Sequence, residues 1–148
     1  MRTLTFLLVS GFAAAACPGQ VIQTAAQTDL HCFQYEPQVV QLRGRLTTVQ
    51  KYGRPNFGES PETDEKVNVA MLLPSRPVDV CGDSTSELNR DSFRGVKEIQ
   101  VVFHDTLDGQ GFVGHEVVAT GSLFERQTMH HYTDVLLWLA SIRDARTP

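Results

Sequence analysis

Val39-Val40-Gln41-Leu42-Arg43-Gly44-Arg45-Leu46-Thr47-Thr48-Val49-Gln50-Lys51-Tyr52 alternates apolar and polar residues. Val40, Leu42, Gly44 and Leu46 fall on one face, and Gln41, Arg43, Arg45 and Thr47 on the other. A period of two over this length marks a half-buried β-strand. Gly44, in mid-strand, predicts a bulge or sharp bend, as a sheet needs if it closes on itself.

Downstream, the same pattern recurs between turn-rich breaks. Gly53 to Glu65, with its glycines, prolines and acids, is a loop. Val67–Leu73 is a second strand, and Pro74 and Pro77 bracket its end before the short extension Val78–Cys81. Gly82 to Gly95 is a polar connection in which Ser86–Phe93 has the composition of one helical turn. Val96–His104 reads as a third strand, with Ile99, Val101 and Phe103 on one face. Phe112–Phe124 reads as a fourth, with Val117, Ala119, Gly121 and Leu123 inward. Thr133–Ile142 reads as a fifth, and a helix is the alternative for this segment. Five short strands with glycine inside the first and fourth predict an all-β, or mainly β, fold. The nearest architecture is a small five-stranded OB-like closed barrel; a five-stranded sandwich is the alternative.

At the N-terminus, Arg2 precedes the apolar stretch Leu4 to Ala16, which ends in four alanines. The stretch is shorter than the roughly 20 apolar residues of a membrane-spanning helix, and small residues at its end form a signal-peptidase site. The expected organisation is a signal peptide over 1–16, a linker or arm over 17–31, and a single domain over 32–148. The expected location is periplasmic or secreted, with no transmembrane span. The chain has three cysteines. Cleavage after Ala16 exposes Cys17, a candidate lipid anchor, although Ala14 stands where lipoprotein signals carry leucine. Cys32 and Cys81 remain, and an oxidising compartment favours joining them. For a closed loop of this length the chain-entropy model gives about 4 kcal/mol. Two unpaired buried thiols are the alternative.

The formal net charge is −4. Together with export, that argues against a nucleic-acid partner, which requires a cationic footprint.

Cys32-Phe33-Gln34-Tyr35-Glu36-Pro37 followed by Val40-Gln41-Leu42-Arg43-Gly44-Arg45-Leu46 resembles the opening of a bacterial family known only as a domain of unknown function. Gly53-Arg54-Pro55-Asn56-Phe57 is similar to that family's first loop. Leu72 to Cys81 is similar to its segment of a leucine, a proline and a cysteine. Gly121-Ser122-Leu123-Phe124 and His130-His131-Tyr132-Thr133-Asp134-Val135-Leu136-Leu137 resemble its closing hairpin, with Met129 where that family has glycine. The resemblance implies a short exported protein with an OB-like barrel. It implies no activity, because function resides in sites rather than folds.

No catalytic residue, metal or cofactor is assigned. His130 and His131 are a candidate polar site. Adjacent strand residues face opposite ways, so the two do not readily share one ion. A hairpin closed near Gln127-Thr128 sets His130 opposite Glu125, far along the strand from His115. The expected role is for one of the two rings to pack on the barrel end and donate to a backbone carbonyl, with the other exposed. His104, Asp105 and Asp108 form a loose oxygen/nitrogen cluster without a metal-motif spacing. Ser122 lacks a nucleophile elbow, and the acids of Glu59–Glu65 are exposed loop carboxylates with ordinary pKa values. A ligand surface is the better guess: Arg43 and Arg45 on one strand face, with Lys51, Tyr52, Arg54 and Phe57 following. The expected function is a non-enzymatic envelope accessory domain binding a protein or glycan. The alternatives are an inhibitor or immunity-type protein of an envelope enzyme, and a metal-binding protein or hydrolase using His130 and His131.

Overall fold

The computed structural model describes residues 22–24, 32–103 and 109–146. Among them are nine strands: β1 (Ile22–Thr24), β2 (Phe33–Gln34), β3 (Val39–Tyr52), β4 (Lys66–Pro74), β5 (Val78–Cys81), β6 (Phe93–Val96), β7 (Ile99–Val102), β8 (Glu116–Glu125) and β9 (Val135–Asp144). The described residues are mainly β, with a short 3₁₀ turn at Gln110–Phe112.

Burial follows the sequence period. On β3, Val40, Leu42, Gly44 and Leu46 are buried while Arg43 and Arg45 are exposed. The second half of β3 pairs antiparallel with β4, from Gly44↔Pro74 to Tyr52↔Lys66. Its first half pairs antiparallel with β8, from Val39↔Ser122 to Arg45↔Glu116. Gly44 and Arg45 therefore pair on both edges, which is where β3 passes from one neighbour to the other. A Cβ at Gly44 would run into the Leu73 carbonyl, so only glycine lets β4 approach there. β4 continues to β7 through Met71↔Gln100 and Leu72↔Ile99, β7 lies parallel to β9, and β9 is antiparallel to β8. Hydrogen bonding thus passes through β3, β4, β7, β9 and β8 and returns to β3.

A second sheet, in the order β2-β5-β6, sits against this ring. Cys32 and Cys81 form the expected disulfide, with Cα atoms 5.5 Å apart, and it ties the start of β2 to the end of β5. Phe33, Tyr35, Val78 and Val80 of this unit share one buried cluster with Leu42, Leu46, Leu72, Ile99, Leu123 and Leu137 of the ring. At roughly 1.5–3 kcal/mol for each large apolar side chain fully buried, this common core is the main source of stability.

Several expectations are corrected. Val96–His104 is not one strand: β6 ends at Val96 and joins the second sheet, and β7 starts at Ile99. Gly95, at φ 64°, takes the left-handed conformation that lets the chain leave one sheet for the other. The fourth strand starts at Glu116, four residues later than read, after the 3₁₀ turn. Ser86–Phe93 is not helical; it is a bent connection running into β6. The helix alternative for the last segment is excluded, since β9 pairs with β8 from Val117↔Asp144 to Glu125↔Val135. Within the segment read as a linker, Ile22–Thr24 pair parallel with Val39–Gln41, on the edge of β3 that β4 takes up from Gly44 onward. The remainder of the expected signal peptide and arm, Cys17 included, lies outside the described residues, as do His104, Asp105 and Asp108.

Candidate functional site

The loop between β3 and β4 is built on a carboxylate. Its neck is closed by Gly53 N–H donating to Glu65 O at 2.7 Å and Glu65 N–H donating to Arg54 O at 2.8 Å. Inside, Asp64 is only 7% exposed. Its carboxylate accepts the backbone N–H groups of Asn56 at 2.8 Å, Gly58 at 2.7 Å and Ser60 at 3.3 Å. Burial disfavours the charged form, but these donors outweigh it and hold the Asp64 carboxyl below its usual range. This corrects the reading of the loop acids as uniformly exposed and ordinary. The same cradle holds Phe57 at φ 52°, a left-handed conformation that costs a bulky residue of order 1–3 kcal/mol.

The loop between β8 and β9 runs from Arg126 to Asp134 and is closed by Arg126 N–H donating to Asp134 O at 2.9 Å. The hairpin therefore ends at Glu125↔Val135, and His130 and His131 lie in the loop, not opposite Glu125. Gln100, on the non-core face of β7, organises this loop. Its Nε2 donates to His130 O at 3.1 Å, and its Oε1 accepts Tyr132 N–H at 2.6 Å. Thr133 Oγ1 accepts Gln100 N–H at 3.0 Å and donates to Val135 O at 2.7 Å. The His-His-Tyr-Thr run thus carries its backbone partners to one buried carboxamide.

The two loops meet. The rings of Phe57 and His130 stand edge to face with centroids 4.7 Å apart, and the Tyr132 hydroxyl donates to Tyr52 O. Beside this contact is an open recess of 510 Å³ lined by Phe57, Arg126, Gln127, Thr128, Met129, His131 and Tyr132. Met129 is 61% exposed at its lip. His131 Nδ1 accepts Gln127 N–H at 3.0 Å, so in the neutral ring the proton sits on Nε2. The ring also packs edge-on against Phe124. Burial, with the neighbouring His130 and Arg126, pushes the His131 pKa down, and burial pushes that of Tyr132 up.

The residues read as one ligand surface divide into two groups. Phe57 is in the recess and Arg54 in the same loop. The Tyr52 ring is covered by the Lys66 ammonium, 3.0 Å from its centroid. Arg43 and Arg45 lie back along β3, and the seven steps from Arg45 to Tyr52 span roughly 23 Å of strand. Among the described residues the histidines do not converge either: His130 points to Phe57, His131 to Phe124, and His115 pairs with Asp144 at 3.6 Å beyond the other end of β8. Among the described residues no group of three or more His, Cys, Asp and Glu side chains gathers as a metal-binding set. Also among them, no helix is long and apolar enough to cross a membrane.

Gln100 and Asp64 escape a sequence reading. Gln100 falls on the polar phase of its strand, and its burial comes from a loop 30 residues away in sequence. Asp64 carries only the weak signal of an acid in a Gly/Pro-rich loop.

Residues 98–143, from the start of β7 through most of β9, match a family described as a domain of unknown function (DUF4431). No curated protein and no solved structure matches the chain.

Proposed function

We propose that the protein is an exported, non-enzymatic binding domain of the bacterial cell envelope, an OB-like barrel that takes a protein or glycan ligand at the end where its first and closing loops meet. The pairing order around the ring, with a parallel contact only between its third and last strands, supports the OB-like reading. In that architecture the corresponding two loops flank the ligand. The leader-like N-terminus and the disulfide support export.

The observation that carries the reading is Phe57. A strained, bulky residue sits between backbone N–H groups, those of Asn56, Gly58 and Ser60, that Asp64 holds, and it is set against His130 beside a recess. Strain of this kind gathers at binding sites. The recess offers an apolar wall in Phe57 and Met129 and a polar rim in Arg126, Gln127 and Thr128. That combination accepts the apolar face of a sugar ring or an apolar side chain while hydrogen-bonding its edge.

A photo-crosslinking residue placed at Met129 in the exported protein tests this, with the same residue at exposed Arg76 as the control. A discrete adduct from position 129 alone is expected. No adduct, or equal adducts from both positions, would contradict the reading.

A further inference from the structure

The loop recess is rich in donors and poor in negative charge. None of the residues lining it is acidic. The carboxylates of the neighbouring segments are engaged or lie outside the lining. Asp64 is turned onto three backbone N–H groups of its own loop. Glu125, at the end of β8, accepts the N–H groups of Arg90 and Asp91 at 2.8 and 3.0 Å. Glu59, Glu62, Glu65 and Asp134 are exposed and take no part in the lining.

Arg126 is the cation of the recess. It is exposed on the rim, and among the described residues its guanidinium makes no ion pair. Among those residues, the backbone N–H groups of Thr128, Met129 and His130 find no acceptor either. His131 adds a donor rather than a second cation. Burial, His130 and Arg126 hold it in the neutral form, and its bond from Gln127 N–H leaves the proton on Nε2. The recess therefore carries one fixed positive charge with no negative partner, on a chain whose net charge is −4.

One guanidinium matches one carboxylate through two parallel N–H···O bonds, whereas a phosphate dianion suits a cluster of such forks. The walls decide how the carboxylate is carried. Phe57, fixed by its cradle, and Met129, at the lip, set an apolar surface in the same recess as the cation. A uronate fixes its carboxylate to a ring whose C–H face packs on such a surface while its hydroxyls meet a polar rim. An aspartate or glutamate of a peptide brings the charge without that face.

We propose that the recess binds acidic sugars, a uronate ring lying against Phe57 and Met129 with its carboxylate on Arg126. The inference rests on the recess being the ligand site and specifies the ligand. The negative net charge does not cancel the contact, because exposed charges farther than about 10 Å are largely screened at 0.1 M salt.

The test titrates the isotope-labelled full chain with trigalacturonate and, separately, with its fully methyl-esterified form, which keeps the rings and removes the charge. The acid is expected to shift the amide signals of Gln127 to Tyr132 and to bind at least tenfold more tightly than the ester. Arg126→Gln, its fold checked by the same spectra, should abolish that preference and leave binding of the ester unchanged; Arg126→Lys should keep part of it. Equal binding of acid and ester, or undiminished binding of the acid by Arg126→Gln, overturns the inference and leaves the recess as a site for uncharged ligands. Binding of neither probe also overturns it, and the crosslink from position 129 then reads separately whether the recess takes a ligand at all.

Discussion

The Tyr132 hydroxyl donates to the backbone carbonyl of Tyr52 at 2.9 Å, across 80 positions of sequence. This bond fixes the loop closing the β8–β9 hairpin against the end of β3, where the first loop begins. Gln100 fixes the same loop from β7. The closing loop is therefore held from two strands of the ring, while the first loop is held by its own Asp64 anchor.

Removing these supports carries a graded cost. Gln100→Ala leaves the His130 carbonyl and the Tyr132 N–H without their buried partner, so a loss of about 2–3 kcal/mol is expected. Tyr132→Phe removes one ordinary hydrogen bond and should cost about 1 kcal/mol. Urea denaturation of both variants measures the order; a larger loss for Tyr132→Phe would contradict it.

Reduction should release the second sheet. The Cys32–Cys81 bond closes a loop of 49 positions, and its loss, by reductant or in the double serine variant, should cost roughly 2–5 kcal/mol. Melting curves with and without reductant check this, and superimposable curves would mean the staple contributes nothing.

Gly44→Val and Gly121→Val should each impair folding. A Cβ at Gly44 meets the Leu73 carbonyl, and one at Gly121 meets the Trp138 carbonyl, where the β8–β9 register shifts. Backbone on a paired strand cannot retreat as a side-chain tip does. A cooperative wild-type melt from either variant would undercut the close approach on which the ring depends.

Asp64 gives the first loop an acid-sensitive anchor. Its folded pKa lies below the unfolded value of about 3.9. The stability it contributes is present above that value and is lost as the pH falls through the lower folded one. Asp64→Asn should therefore melt below the wild type at pH 7, with the difference shrinking as the pH falls below about 4. Paired thermal melts at the two pH values read this, and a pH-independent difference would show that the carboxylate charge is not the anchor.

The strands that alternate cleanly are legible in the sequence. β3 runs over the residues the period marks, and Val117, Ala119, Gly121 and Leu123 of β8 face inward as read. Burial on one face imposes a period that needs no partner to be seen. Signals created by distant partners are not visible. Gln100 reads as an outward strand residue until a loop covers it, and Asp64 reads as a solvated acid until three N–H groups turn toward it. The break between β6 and β7 falls at Lys97-Glu98, two charged residues that a half-exposed strand also accommodates, so the sheet change is not visible in the pattern. The two histidines were visible as a motif, yet what the motif holds together is set by Gln100, outside it.

The central claim is that the first and closing loops meet to form one recess. Proton NOEs of the Phe57 ring in the labelled protein test it most directly. The account predicts cross-peaks from Phe57 to the His130 ring, 4.7 Å away between centroids. A Phe57 ring with cross-peaks only to its own loop would contradict the meeting of the loops and remove the proposed ligand site.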